Sequence, residues 1–224
     1  MKQIKGGVTA AKGYEAASTA AGIKYQGRTD MALIYSQVPC VSAGTFTTNV
    51  VKAAPVKWDR QIVDSGAGVQ AVVVNSGIAN ACTGEEGMGY CKETAETAAK
   101  ALNIDAAGVL VGSTGVIGMQ LPMQKLVDGI QVLAGKKAEG LQSGHDAALA
   151  IMTTDTVEKE MVSYIQQNFT GKISLKEFGE QFHLSEKYIS RYFKEHFHIT
   201  LSQYITYLRL ENAKQLLQDT DLSV

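Results

Sequence analysis

The 224 residues are 45% hydrophobic and 19% charged, with a formal net charge of −1. That balance supports a packed core, excludes global disorder and offers no broad field for nucleic acid or an anionic membrane. No apolar run approaches the roughly 20 residues that span a bilayer, and no apolar segment follows Lys2 and Lys5. A cytoplasmic chain without membrane contact is therefore expected. Cys40, Cys82 and Cys91 are odd in number and widely spaced, match no zinc pattern and suit a reducing compartment. Cys82 lies in a Gly/Asn-rich loop and is either a reactive thiol or an incidental one. No metal site is expected.

In chain order, Met31–Tyr35, Val69–Val74 and Gly108–Val111 are short β-rich runs that stop at turn-forming residues. Tyr90–Leu102 and Leu121–Leu133 have helical spacing, the second with Pro122 in its first turn. Strands alternating with helices predict a layered α/β architecture. The loops Val74–Gly84 and Gly112–Gly118 each follow a strand, where α/β proteins place ligands. The Ser113-Thr114-Gly115 turn presents a hydroxyl and approachable backbone N–H groups. Such donors suit a developing oxyanion, and equally make an ordinary tight turn.

Near residue 157 the composition changes. All three prolines (Pro39, Pro55, Pro122) precede it, and beyond residue 160 only Gly171 and Gly179 remain among the glycines. Val157–Phe169 is amphipathic through Met161, Val162, Ile165 and Phe169. Ser174 and Glu177 form a capping box for a helix with Leu175, Phe178 and Phe182 on one face. A tight turn is expected at His183-Leu184, with Ser185 capping a helix that carries Tyr188, Ile189, Tyr192 and Phe193. Thr200 and Gln203 form a second capping box, opening a long helix to about Gln218. Helix, short turn and capped helix follow the helix-turn-helix plan.

If Ile189 and Phe193 face the core, Glu186, Lys187, Ser190, Arg191 and Lys194 point outward. Arg191 could reach guanine or phosphate, and Lys187 and Lys194 phosphate. A solvated helix face explains the same residues. From residue 159 onward eight Lys/Arg balance eight Asp/Glu, a weak electrostatic footprint for DNA. The histidines of this tail have no acidic or Cys partner at ligand spacing.

Several segments in the first part resemble the ornithine acetyltransferase (glutamate N-acetyltransferase, ArgJ) family. They include Gly6-Gly7-Val8-Thr9-Ala10-Ala11-Lys12-Gly13, Ala43-Gly44-Thr45-Phe46-Thr47-Thr48-Asn49, Val73-Val74-Asn75-Ser76-Gly77, Asn80-Ala81-Cys82-Thr83-Gly84, Ser113-Thr114-Gly115-Val116-Ile117-Gly118 and Ala150-Ile151-Met152-Thr153-Thr154-Asp155-Thr156. They occur in the family's order across residues 4 to 157. The resemblance implies acetyl transfer from N-acetylornithine to glutamate in arginine biosynthesis. It implies no bound cofactor, with acetyl-CoA a further acetyl donor in some members. It places an oxyanion hole at Thr114 and Gly115 and a substrate contact at Thr153.

The family's nucleophile is a threonine freed by self-cleavage at an Ala-Thr bond, its own α-amino group serving as base. The 224 residues contain no Ala-Thr step. The family pattern is left before that site, so the nucleophile, the preceding lysine and the C-terminal (beta) subunit are expected to be missing. Ala11 stands where the family often has proline, and Ile78 where it usually has asparagine.

Leu184–Glu195 and Leu208–Leu217, with Tyr164-Ile165 and Ile173-Ser174-Leu175, resemble the AraC-type DNA-binding domain. Such domains have two helix-turn-helix units joined by a long helix. This tail is expected to supply the first unit and the joining helix, with weak DNA binding. The expected organisation is thus an incomplete ornithine-acetyltransferase-like layered α/β domain over 1–157, followed by a small all-α helix-turn-helix segment over 158–224. Its functional readings are an acetyltransferase fragment, an AraC-type regulator, or a fusion without function.

Overall fold

The computed structural model describes residues 7–152, 159–182 and 185–219. The chain divides into two compact units, Met1–Thr154 and Asp155–Val224.

The first unit is built on a four-stranded sheet of β1 (Tyr14–Thr19), β2 (Met31–Cys40), β3 (Val69–Asn75) and β4 (Val109–Ser113), side by side in that order. The first three are antiparallel. β3 and β4 are parallel, in register from Ala71 opposite Val109 to Asn75 opposite Ser113. Parallel neighbours need a long crossover, and α2 (Glu86–Leu102) supplies it. The remaining helices are α1 (Ala54–Ser65), α3 (Met123–Lys136) and α4 (Leu141–Ala150). The layered α/β expectation therefore holds, on a mixed sheet.

One sheet face carries the main core. Met31 and Leu33, Ala71 and Val73, and Val109 meet Ala95, Ala98 and Ala99 of α2 and Leu126, Ile130 and Leu133 of α3. The alternation along β3 follows the two-residue strand period, with Val69, Ala71, Val73 and Asn75 buried. A smaller cluster of Ala16, Ala32, Ala147 and Ala150 forms where α4 meets β1 and β2. Small side chains there let the helix lie close to the strands.

Among the described residues the outer edge of β4 has no neighbouring strand, and an open edge is a template for unwanted pairing. Side chains of α1 take the place of one. The Trp58 Nε1–H donates to the Val109 carbonyl (3.1 Å), and the Val111 N–H donates to Asp59 Oδ1 (2.9 Å).

The second unit is all helical: α5 (Lys159–Asn168), α6 (Leu175–Gln181), α7 (Glu186–His196) and α8 (Leu201–Asp219). Ile165, Phe178, Ile189, Phe193, Leu201 and Ile205 form its core, and the rings of Phe193, Phe197 and Tyr204 pack within 5.6 Å of one another. The expected caps are present. The N–H groups of Glu177 and Tyr188 donate to the hydroxyls of Ser174 and Ser185 (3.1 Å each). Thr200 and Gln203 complete a reciprocal box at 2.8 and 3.2 Å. The Ser174 box differs from expectation: its hydroxyl donates to Glu177 Oε2 (2.7 Å) instead of the carboxylate reaching the backbone. The Arg209 guanidinium donates to the carbonyls of Phe169 and Gly171 (2.6 and 2.7 Å), tying α8 to the end of α5. The turn expected at His183-Leu184 lies outside the described residues.

Burial raises the Asp59 carboxyl to about 6, opposed by the Val111 N–H. The unfolded value is about 3.9, so this group's contribution to stability is complete below pH ~4 and is lost as pH rises through about 6. Asp59→Asn keeps an acceptor for the Val111 N–H and removes the titration. Urea unfolding followed by Trp58, the single tryptophan, should show the variant more stable at pH 7 by about 1–2 kcal/mol after allowing for partial exposure. The gain should vanish at pH ~4. An unchanged pH dependence would contradict this role for Asp59.

Candidate active site

Because β3 and β4 run parallel and in register, the loops that follow them leave the sheet side by side. Their backbones then pair directly. The N–H groups of Thr114 and Val116 donate to the carbonyls of Asn75 and Gly77 (3.0 and 3.1 Å). Ala79 N–H returns a bond to the Val116 carbonyl (2.9 Å), making an isolated parallel bridge between Ile78 and Val116. Further along, Gly118 N–H donates to the Ala81 carbonyl (2.9 Å). Side chains reinforce the joint: Asn75 Nδ2 donates to the Ile78 carbonyl (2.7 Å), and the Asn80 N–H donates to Ser113 Oγ (2.8 Å).

This pairing brings the two backbones so close that Gly115 admits no side chain. Its φ is +135°, and an added Cβ would collide with the Gly77 carbonyl group. Ile78 is buried in the main core and does not line the cavity described next. The loop beside it is held by backbone bonds and by Asn75.

Thr114 and Gly115 line a cavity of about 300 Å³ together with Lys24, Tyr25, Arg28, Asp30, Ser76, Gly77 and Val116. The Thr114 N–H is engaged by Asn75, whereas the Thr114 hydroxyl and the Gly115 N–H have no hydrogen-bond partner among the described residues. One hydroxyl and one amide thus remain available on the cavity wall. Two adjacent donors of this kind can stabilise charge developing on a carbonyl oxygen. Asp30 is buried, and its carboxylate accepts from the N–H groups of Ala21 (2.7 Å) and Ile23 (2.6 Å). The Asp30 carbonyl in turn accepts from Ser76 N–H (2.8 Å), joining the Ala21–Asp30 segment to the loop after β3. Thr153 lies outside the described residues.

Sequence reading assigns no site role to Tyr25, Arg28 and Asp30, nor to Lys24, which stands only as the last residue of the family-like segment Ala21-Gly22-Ile23-Lys24. They sit in an irregular segment about 50 residues from Gly77 and nearly 90 from Thr114, and no local pattern links them to either.

A separate groove is lined by Val50, Val51, Lys52, Lys57, Cys82, Met88 and Ile117, among others. Val50 is 90% exposed, Val51 76% and Ile117 61%. Cys82 is exposed beside it, while the Cys91 thiol is pushed up to about 12 by burial and by Asp59. No group of three or more metal-ligating side chains occurs among the described residues. None of the described helices is long and apolar enough to cross a membrane.

On α7, Lys187, Arg191 and Lys194 are exposed as expected, and the Arg191 guanidinium lies 5.6 Å from the Tyr188 ring centroid. Ser190 is half-exposed.

The family profile described as "ArgJ family" matches residues 15–177. The chain belongs to the ArgJ family. A second profile, a helix-turn-helix domain of the AraC type, matches residues 178–224. The arginine biosynthesis bifunctional protein ArgJ of Streptomyces coelicolor is 53% identical over 156 residues, covering 69% of this chain and 40% of that protein. Its counterpart from Gloeobacter violaceus is 50% identical over 157 residues, with 70% and 38% covered. The chain therefore spans about two-fifths of the length of these curated relatives.

Among solved structures, the ornithine acetyltransferase of Mycobacterium tuberculosis complexed with ornithine is 47% identical. It superposes with a TM-score of 0.65, covering 68% of this chain and 81% of that one. The Bacillus halodurans ArgJ protein is 42% identical with the same TM-score, covering 69% and 79%. The family match and the packing divide this ArgJ-family chain at different points. Ile165, Phe169, Ile173 and Leu175 fall within the ArgJ match, yet they pack with Phe178 in the helical core. Packing is the physical criterion, and it groups them with the second unit.

Proposed function

We propose that residues 1–157 carry the oxyanion half of an ArgJ-type acetyl-transfer site, without the nucleophile that completes it. The acceptor of the acetyl group is glutamate and the donor N-acetylornithine, with acetyl-CoA an alternative donor. The observation that carries this reading is the loop pairing that leaves the Thr114 hydroxyl and Gly115 N–H unengaged on one cavity. Thr153 follows Met152, whose carbonyl accepts from the Arg28 guanidinium on the same cavity, which supports a substrate-contacting role.

The absence of any Ala-Thr step supports the lack of a nucleophile. The exposed apolar groove around Val50, Val51 and Ile117 supports a missing partner, the family's C-terminal (beta) portion. Residues 158–224 form the fused helix-turn-helix part. On this account the fusion is inactive alone.

The purified chain should give no acetyl transfer from N-acetylornithine to glutamate, and none from acetyl-CoA. Adding a separately produced C-terminal portion of a family enzyme, beginning with its threonine nucleophile, should restore turnover. Turnover by the chain alone would contradict the missing nucleophile. No rescue would contradict a working oxyanion loop.

A second reading, a DNA-binding regulator, is favoured by one observation. The serine-capped α7 exposes Lys187, Arg191 and Lys194, with Ser190 beside them. With balanced charge, binding by these residues should be weak, salt-sensitive and poorly selective, and Arg191→Ala should weaken it further. Submicromolar, sequence-specific retention of DNA at physiological salt would instead establish the regulator reading.

A further inference from the structure

Several polar side chains are buried between β3 and α2, and most spend their bonds inside the loop joint. Asn75 Nδ2 donates to the Ile78 carbonyl (2.7 Å), Asn80 Nδ2 to the Gly87 carbonyl (2.8 Å) and the Thr83 hydroxyl to Asn80 Oδ1 (2.7 Å). Ser76 reaches out of the joint instead. It is 1% exposed, and its hydroxyl donates to the Ala150 carbonyl (2.7 Å), 74 residues away at the end of α4. Its N–H donates to the Asp30 carbonyl (2.8 Å). One residue thus joins three chain segments, and it lines the cavity of Thr114 and Gly115.

The carbonyls of a helix's last turn have no donor within the helix, and a buried one left unmet is costly. At the end of α4 the Leu149 carbonyl accepts from the Met152 N–H (3.2 Å). Ala150 is buried in the cluster with Ala16 and Ala32, and the Ser76 hydroxyl meets its carbonyl. Thr153 follows three residues later in the chain. We infer that Ser76 is a positioning residue, which latches the end of α4, and the chain leading to Thr153, to the loop paired with Gly115. The inference rests on the acetyl-transfer reading for the role of Thr153. Backbone pairing holds the oxyanion loop, whereas a side-chain hydroxyl holds the end of α4 to it. Removing that hydroxyl should therefore loosen one wall of the site and spare the other.

The test compares Ser76→Ala with Ser143→Ala in the full chain. The Ser143 hydroxyl makes bonds of the same kind at the start of α4, to the carbonyls of Ala138 and Gly140 (2.7 and 2.8 Å). In Ser76→Ala the Met152 amide should exchange about tenfold faster, with Thr114 and Val116 unchanged. Ser143→Ala should leave all three amides unchanged. With the separately produced C-terminal portion added, Ser76→Ala should raise KM for N-acetylornithine by about threefold to tenfold and leave kcat within about twofold. Unchanged exchange at Met152, equal acceleration of Met152 in Ser143→Ala, faster exchange throughout β3, or a fall in kcat at constant KM would overturn the inference. Absence of turnover in the unaltered chain would overturn the acetyl-transfer reading, and exchange at Met152 would still decide the latch.

Discussion

Parallel pairing of β3 with β4 does not stop at the sheet. It continues into the two loops beyond, through the Asn75–Thr114 and Gly77–Val116 bonds and the Ile78–Val116 bridge. The candidate site depends on that continuation. It fixes which donors are consumed and which are left over: the Thr114 N–H is drawn into the pairing, and the Thr114 hydroxyl and Gly115 N–H are not. It also explains why position 115 is glycine, since the backbones approach too closely for any Cβ. Donors held by backbone pairing need no reorganisation when charge develops in front of them.

The two units use different physics. The first buries mostly alanine, leucine and isoleucine between a sheet and its helices, and closes its β4 edge with Trp58 and Asp59. The second relies on an aromatic core around Phe178, Phe193 and Tyr204, three hydroxyl-capped helix starts and the Arg209 tie to the end of α5. Each unit has its own core.

What was legible in the sequence follows from where its signals are strong. The Val-rich runs of β3 and β4 and the spacing of α2 and α3 are visible as such, and so are the serine and threonine caps of the tail. β1 was not seen, because Tyr-Glu-Ala-Ala-Ser-Thr has little strand preference and is extended only by pairing with β2. α1 and α4 were missed too. α4 buries Gly144, Ala147 and Ala150, residues too small to register as an apolar stripe. The Thr114–Gly115 loop was found through its motif. Its partners Lys24, Arg28 and Asp30 were not, because only the fold brings that segment to the end of β3. Ile78 is buried in the core, and the joint beside it is made by backbone bonds and the Asn75 side chain.

Amide hydrogen exchange on the intact chain tests the loop pairing most directly. The account predicts that Thr114 and Val116 exchange slowly, like the amides of β3, while Gly115 between them exchanges fast. Protection of Gly115, or exchange of Thr114 and Val116 at the rate of an open loop, would contradict it.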